Sequence, residues 1–284
     1  MSTEPPDTHS SVTGSSDKGK LFLLPAPLRD FDEERWSAES LAAELPARAL
    51  SLMEELETFI VESERSAVRL LSRVKSQAAM RKIELKLLDE HGTREGLDTL
   101  LSPLIDGRDC GLLSEAGMPC IADPGAALVA AAHIRGVEVV PVSGPSSILL
   151  ALSASGLSGQ NFFFLGYLPA SGSERKAALS SLGREFLRDR TTRIFIETPY
   201  RNDALLADAL AFLPEKAWLS VAAGIGSVKE KIVSKPVERW RKEGPAGIGK
   251  KPAVFLIGFP AALRPSDSAF PNRGLRRGMP SAPG

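Results

Sequence analysis

The sequence predicts an α/β protein in which strands and helices alternate through two successive layers. Three observations carry this. Between Cys110 and Ser147 the chain runs through a short apolar stretch, a loop, a small-residue stretch ended by Gly136, a β-branched run and a second loop, which is the pattern of a βαβα unit. The same rhythm recurs in the second half of the chain. Between the halves lies an apolar, aromatic segment, Asn161 to Leu168, closed by Pro169 and followed by the polar run SGSERK. The expected division is a disordered tail over 1–18, an α/β domain over 19–164, a second over 165–260 and a disordered tail over 261–284.

Leu21 to Leu24 is an apolar run stopped by Pro25-Ala26-Pro27, and it predicts the first strand. Residues 36–56 show helical spacing at Leu41, Leu45, Leu52 and Leu56, with Ser37 as a cap and Pro46 dividing the segment into two helices. Thr58 to Val61 predicts a short buried strand. Glu62-Ser63-Glu64-Arg65 then caps a helix that turns Val68, Leu70, Leu71 and Val74 to the core. Ile83, Leu85 and Leu87 alternate as a strand does. A helix over 93–106 closes at Gly107. Cys110 to Leu113 is a strand, 126–135 a helix and 137–142 a strand, and a helix follows Ser147 to Gly156. In the second half, strands are expected at 161–168, 193–197, 218–223, 232–234 and 253–258, with helices at 174–188, 202–212 and 237–242.

Composition narrows the function classes. The chain has 284 residues, 43% hydrophobic and 25% charged, as in an ordinary globular protein. Lys+Arg and Asp+Glu are both 35, so a nucleic-acid partner would need a local basic patch. The two cysteines, Cys110 and Cys120, rule out a disulfide scaffold and lack zinc-site spacing. Cys110 reads as a core residue. With no apolar run near the length of about 18 residues that spans a membrane, and no signal-peptide pattern at the start, a cytoplasmic protein is expected.

Several nucleotide motifs fail on inspection. Gly244 to Lys251 has the G-x-x-x-x-G-K spacing of a phosphate loop. Lys251 stands where a Ser or Thr is needed, and the loop leads into a strand instead of a helix N-terminus. No G-x-G-x-x-G follows the first strand. The three histidines are His9, His91 and His133, too scattered for a histidine-rich metal site, and no metal is expected. Two loops are harder to dismiss. Glu115-Ala116-Gly117-Met118-Pro119 with Asp123-Pro124-Gly125, and Ser143-Gly144-Pro145-Ser146-Ser147, follow successive strands. Ligands of open α/β sheets sit at that edge. Glycines there let backbone groups approach a ligand, although Asp123 also reads as a helix cap. Glu197-Thr198-Pro199-Tyr200-Arg201 ends a third strand, where Glu197 and Arg201 read as an ion pair or as part of a cleft.

The blocks in order resemble the tetrapyrrole methylase superfamily. They are Pro-x-Pro-Leu at Pro25 to Leu28, Val61-Glu62, Glu90-His91, S-[DE]-A-G-x-P-x-x-[AS]-D-P-G at Ser114 to Gly125, the G-P-S-S loop, F-x-G-[FY]-L-P at Phe164 to Pro169 and E-[ST]-P-x-R at Glu197 to Arg201. The branch most similar is that of small-subunit rRNA cytidine 2′-O-ribose methyltransferases, over roughly residues 19–258. The resemblance implies a parallel N-terminal sheet, a mixed C-terminal sheet and a cleft between them that binds S-adenosylmethionine, released as S-adenosylhomocysteine. It implies a homodimer. It implies cofactor contacts at Pro25, Pro27, Leu28, Ser114, Glu115, Ala116, Gly117, Pro119, Asp123, Ser143, Gly144, Pro145, Ser146, Ser147, Tyr167, Ala222 and Pro252.

Methyl transfer to a ribose hydroxyl wants a general base. Glu115 and Glu197 stand at strand ends and come first; Glu62 and His91 are the further candidates, and each could be a cap or an ion-pair partner. The expected acceptor is rRNA or the small ribosomal subunit. The alternatives are a tetrapyrrole or other small-molecule acceptor, or a cofactor-binding paralogue without catalysis. The chain departs from the rRNA enzymes at Glu62-Ser63-Glu64-Arg65, at Arg29-Asp30 and at Ala222-Ala223-Gly224-Ile225-Gly226, where they carry Glu-Asp-Thr-Arg, Gly-Asn and Ala-Arg-Glu-Leu-Thr.

Overall fold

Four-residue apolar runs build the centre of the first unit. The structure is a computed structural model that describes residues 18–28, 38–88, 94–244 and 247–260. The chain divides into two units: residues up to Leu150 together with Gly224–Glu230, and Ala151–Ala223 together with residues from Lys231 on. Most elements of the first run in the order β1 (Leu21–Leu24), α1 (Ala38–Ala42), α2 (Ala47–Glu55), β2 (Thr58–Val61), α3 (Glu64–Val74), α4 (Gln77–Met80), β3 (Glu84–Leu87), α5 (Arg94–Ile105), β4 (Cys110–Leu113), α6 (Ala126–Ile134) and β5 (Val139–Pro141); α7 (Ser147–Ser155) passes from the first unit into the second.

All pairings of the first sheet are parallel, in the order β3-β2-β4-β1-β5. Parallel sheets bury both faces, which is why LFLL, TFIV and CGLL lack polar alternation. Phe22, Leu24, Phe59, Val61 and Leu113 pack on one face with Leu41, Leu45, Met53, Leu70 and Leu71. Leu21, Ile60, Cys110 and Leu112 pack on the other with Leu101, Leu104, Leu128 and Ala132. Cys110 is a fully buried core residue, and burial pushes its thiol up to about 12. Pro46 separates α1 from α2, as expected. Pro103 lies inside α5 and cannot donate to the Thr99 carbonyl; the Ser102 hydroxyl donates to it instead, at 2.9 Å.

One detail differs from the sequence expectation. Val68 is 42% exposed, because α3 turns Ala67, Leu70 and Leu71 inward and Val68 falls outside that stripe. Leu87 ends an edge strand and is also exposed. Ser37, the expected cap of the first helix, and Arg29-Asp30 lie outside the described residues.

The second unit continues with β6 (Phe162–Tyr167), α8 (Gly172–Asp189), β7 (Thr192–Glu197), α9 (Asn202–Phe212), β8 (Trp218–Ala223), β9 (Lys231–Pro236), α10 (Val237–Glu243) and β10 (Ala253–Gly258). Its sheet is mixed, as expected: the order is β6-β7-β10-β8-β9, with β6 and β7 parallel and the remaining pairs antiparallel. Phe195 and Phe255 are cross-strand partners whose rings stack, centroids 5.6 Å apart. Trp240 of α10 is buried, and its Nε1–H donates to the Leu219 carbonyl at 2.8 Å. Removing the Phe255 ring opens a void under this layer. Phe255→Ala should cost about 3–5 kcal/mol, read as a lowered urea midpoint with an unchanged slope; a loss well below that range would mean the core collapses around the void.

Candidate functional site

The connections of β1 and β4 part at the carboxyl edge of the first sheet. The chain leaving β1 goes to α1 and α2 on one face, and the chain leaving β4 goes to α6 on the other. Neighbouring parallel strands whose connections part in this way leave a crevice beyond their carboxyl ends. The loops that line it are those singled out from the sequence.

Backbone contacts hold these loops together. Ala26 and Gly117 exchange hydrogen bonds, N–H to carbonyl, at 2.8 and 2.9 Å. The buried Ser114 hydroxyl donates to the same Gly117 carbonyl at 3.2 Å. Gly117 has φ +74°, and a side chain on it would meet Leu28 Cδ2 at 3.2 Å and the Pro145 carbonyl oxygen at 3.5 Å. A Cβ on Gly144 would lie 2.0 Å from Pro25 Cβ. Pro25 and Pro27 are buried, and the Leu28 amide donates to Glu44 Oε2 at 3.3 Å. The β1 loop is thus clasped between the β4 and β5 loops. Pro119 is buried, Ala116 and Ser143 are exposed, and Pro145 to Ser147 are half-buried, with Ser146 Oγ accepting from the Leu149 amide at the start of α7. Cys120 and Ala122 hold left-handed backbone, φ +68° and +64°, an unfavourable conformation for side chains and one that recurs at binding loops.

Three carboxylates gather near these loops. Glu115 is exposed, and its Oε1 accepts from Ser66 Oγ at 2.6 Å. The Ser66 amide in turn donates to the helix cap Ser63 Oγ at 3.2 Å. Asp123 is not a cap. The N-cap of α6 is Gly125, with no side-chain hydrogen bond. Burial, and secondarily the charge of Glu115, push Asp123 up to about 6. Glu62 is half-buried at the end of β2; burial chiefly, then the charges of Asp123 and Glu62, push the Cys120 thiol up. Ser66 was missed from the sequence, since a helix-start serine carries no signal beyond the cap three residues before it. His91 lies outside the described residues. Among the described residues no group of three or more His, Cys, Asp or Glu is arranged to hold a metal ion.

The second unit has its own edge. Glu197 of β7 and Ala223 of β8 both stand in register with Ala253, the residue after the exposed Pro252. Tyr167 is 55% exposed, opposite Ile196 and just past a register shift at the end of β6; Ala222 is buried opposite Val254. Glu197 is buried, and the ion pair with Arg201 forms: Oε1 accepts from Arg201 Nε at 2.9 Å and Nη2 at 2.7 Å, and from the Thr198 amide at 2.7 Å. Its Oε2 is buried and accepts no hydrogen bond among the described residues. Buried Asn202, also missed from the sequence, donates through Nδ2 to the carbonyls of Lys251 at 2.6 Å and Gly249 at 3.4 Å. The segment with phosphate-loop spacing is therefore tied to the start of α9 and runs into β10, and its residues 245 and 246 lie outside the described set.

A family model described as Tetrapyrrole (Corrin/Porphyrin) Methylases matches residues 41–239. A ribosomal RNA small subunit methyltransferase I from Escherichia coli O157:H7 is 31% identical over 238 residues, 83% of this chain and 76% of that protein. A protein of the same name from Halalkalibacterium halodurans is 32% identical over 208 residues, 72% of this chain and 64% of that one. Another from Thermotoga maritima is 28% identical over 81% of this chain and 95% of its own. Among solved structures, uroporphyrin-III-C-methyltransferase from Thermus thermophilus shares the fold, with a TM-score of 0.50 at 21% identity over 87% of this chain and 97% of that one.

The raised Asp123 gives a pH test. An ordinary Asp releases its proton near 3.8, and the folded chain holds this one to about 6. Between those values the folded state binds the proton that the unfolded state has released, so this residue's contribution to stability falls as pH rises. Asp123→Asn should match the wild type at the acid end of the window and become the more stable above it, in urea unfolding across pH; a constant difference would show that Asp123 titrates normally.

Proposed function

We propose a function from one premise: the chain belongs to the tetrapyrrole (corrin/porphyrin) methylase family. It is a methyltransferase. The reading we favour is transfer of a methyl group from S-adenosylmethionine to a ribose 2′-hydroxyl of small-subunit rRNA. The observation that carries the cofactor assignment is the clasp of Ala26 with Gly117 and of Pro25 with Gly144, two close approaches where any side chain would intrude. Such close packing fixes the loop edge on which a ligand would rest, and the nearby carboxylates Glu115 and Asp123 suit one that carries positive charge, as a sulfonium and an α-amino group do.

When bound, S-adenosylmethionine supplies an activated methyl group. The residues of the first unit would then hold and orient it: Pro25 to Leu28 and Gly117 by shaping the loop edge it rests on, Ser143 to Ser147 from the adjoining strand end, Asp123 by charge. Glu115 is our candidate to take the hydroxyl proton. It is exposed at the loop, and Ser66 orients it by donating to its Oε1. The names of the relatives from Escherichia coli and Halalkalibacterium halodurans support rRNA as the acceptor. We place the protein in the cytoplasm as a homodimer; exposed Phe162 and Phe163 on the edge strand β6 support pairing between copies. No described helix is long and apolar enough to cross a membrane.

Titration calorimetry should detect binding of S-adenosylmethionine and S-adenosylhomocysteine, and labelled methyl should pass to unmodified small ribosomal subunits. Gly144→Ala, which forces Cβ onto Pro25, should weaken cofactor affinity by about tenfold or more. Unchanged affinity in that variant would move the site elsewhere. Methyl transfer to a small-molecule extract with none to subunits would overturn the acceptor.

A further inference from the structure

Two features of the second unit are unused by the mechanism above. Tyr200 is 83% exposed, so its ring buries almost nothing in its own unit. The Gly-Lys-Lys run at the end of the rejected phosphate-loop motif has no role either. The fold brings them together. Lys250 Nζ lies over the Tyr200 ring, 5.6 Å from its centroid. This is not a chance meeting of two flexible chains. Asn202 is buried immediately after the Tyr200-Arg201 turn, and its Nδ2 binds the carbonyls of Gly249 and Lys251, on either side of Lys250. The backbone that carries Lys250 is thereby tied to the helix start that follows Tyr200. Among the described residues nothing lies within 4 Å of where a Cβ would stand on Gly247 or Gly249, so there is open space beside the turn before Lys250. Lys251 stands next to the pair in sequence, in a chain whose formal net charge is zero, while the charge of Arg201 is matched by Glu197.

We propose that Tyr200 and Lys250 form a contact surface for single-stranded RNA, with a nucleobase stacked on the Tyr200 ring and a backbone phosphate at Lys250. An exposed aromatic beside a lysine-rich turn is a combination that binds single-stranded nucleic acid: the ring takes any base face, and the cations take the phosphates. The proposal rests on the rRNA reading of the acceptor and names the part of the surface that would grip it. It supplies the local basic patch that the neutral overall charge otherwise withholds.

The test uses the full-length protein with a short fluorescein-labelled single-stranded RNA, followed by anisotropy, and with small ribosomal subunits. Tyr200→Ala should weaken RNA binding by about tenfold, and Tyr200→Phe should keep it, since stacking needs the ring and not the hydroxyl. Lys250→Gln should lower the slope of log affinity against log salt by about 0.7, one phosphate contact. Cofactor binding, by calorimetry, should be unaltered in all three variants and serves as the control for folding. RNA affinity and salt slope unchanged in Tyr200→Ala and Lys250→Gln, with wild-type methyl transfer to subunits intact, would overturn this surface and leave the proposed activity standing. Binding to intact subunits with none to naked RNA would assign the surface to a ribosomal protein and overturn it too. Methyl transfer only to small molecules would bring down the rRNA reading and this surface together, whereas tight RNA binding lost in both variants supports it.

Discussion

The loop edge of the first unit depends on one backbone pairing, Ala26 with Gly117. Proline flanks Ala26 on both sides and has no N–H, so Ala26 carries the single main-chain donor between Pro25 and Pro27. That donor and the Ala26 carbonyl are both committed to Gly117. Gly117 accepts the constraint because its φ of +74° costs a residue without Cβ little, and Ser114 completes the clasp by donating to the same carbonyl. Gly144 then presses against Pro25 from the other side. Three loops from strands β4, β1 and β5 become one rigid edge, and a ligand site made of main chain needs that rigidity more than it needs particular side chains.

Charge is placed around this edge with some strain. Glu115 and Asp123 are close enough for one to raise the proton affinity of the other, and Cys120 and Ala122 between them hold left-handed backbone. A cation brought to the edge would relieve the repulsion between the two carboxylates. The second unit solves the reverse problem. Its buried carboxylate, Glu197, is neutralised in place by Arg201 four residues on, across the turn that opens α9, and Asn202 ties the same helix start to the segment entering β10. One edge keeps its negative charge available, and the other has it matched internally while lysines remain at its rim.

Much of the fold was legible in the residues. The strands of the first unit are unbroken apolar runs, the helices have caps and glycine stops, and Pro46 marks the break between α1 and α2. The misreadings have physical causes. Val68 satisfies helical spacing, yet the inward stripe of α3 is narrow and is filled by Ala67, Leu70 and Leu71. The alternative of Asp123 as a cap falls, because Gly125 takes the N-cap position two residues later and the Asp123 carboxyl is half-buried instead. Ser66 and Asn202 stand at helix starts, and no local pattern marks them because their partners, Glu115 and the carbonyls of Gly249 and Lys251, lie far away in the chain.

The amino-acid sequence by itself determined which segments become strands and helices, that one sheet is buried on both faces, and that two loops after successive strands are unusual. Those properties follow from local chemistry: apolar periodicity, missing N–H groups, absent Cβ atoms. Only the tertiary structure decided which loops meet. The order β3-β2-β4-β1-β5 puts β1 between β4 and β5, and so sets Pro25 and Ala26 between two loops separated in the chain by a whole helix and strand. The same is true of Lys250 over Tyr200. Strand order depends on how helices of given length cover the two faces of the sheet, a sum over many weak contacts that no local pattern records.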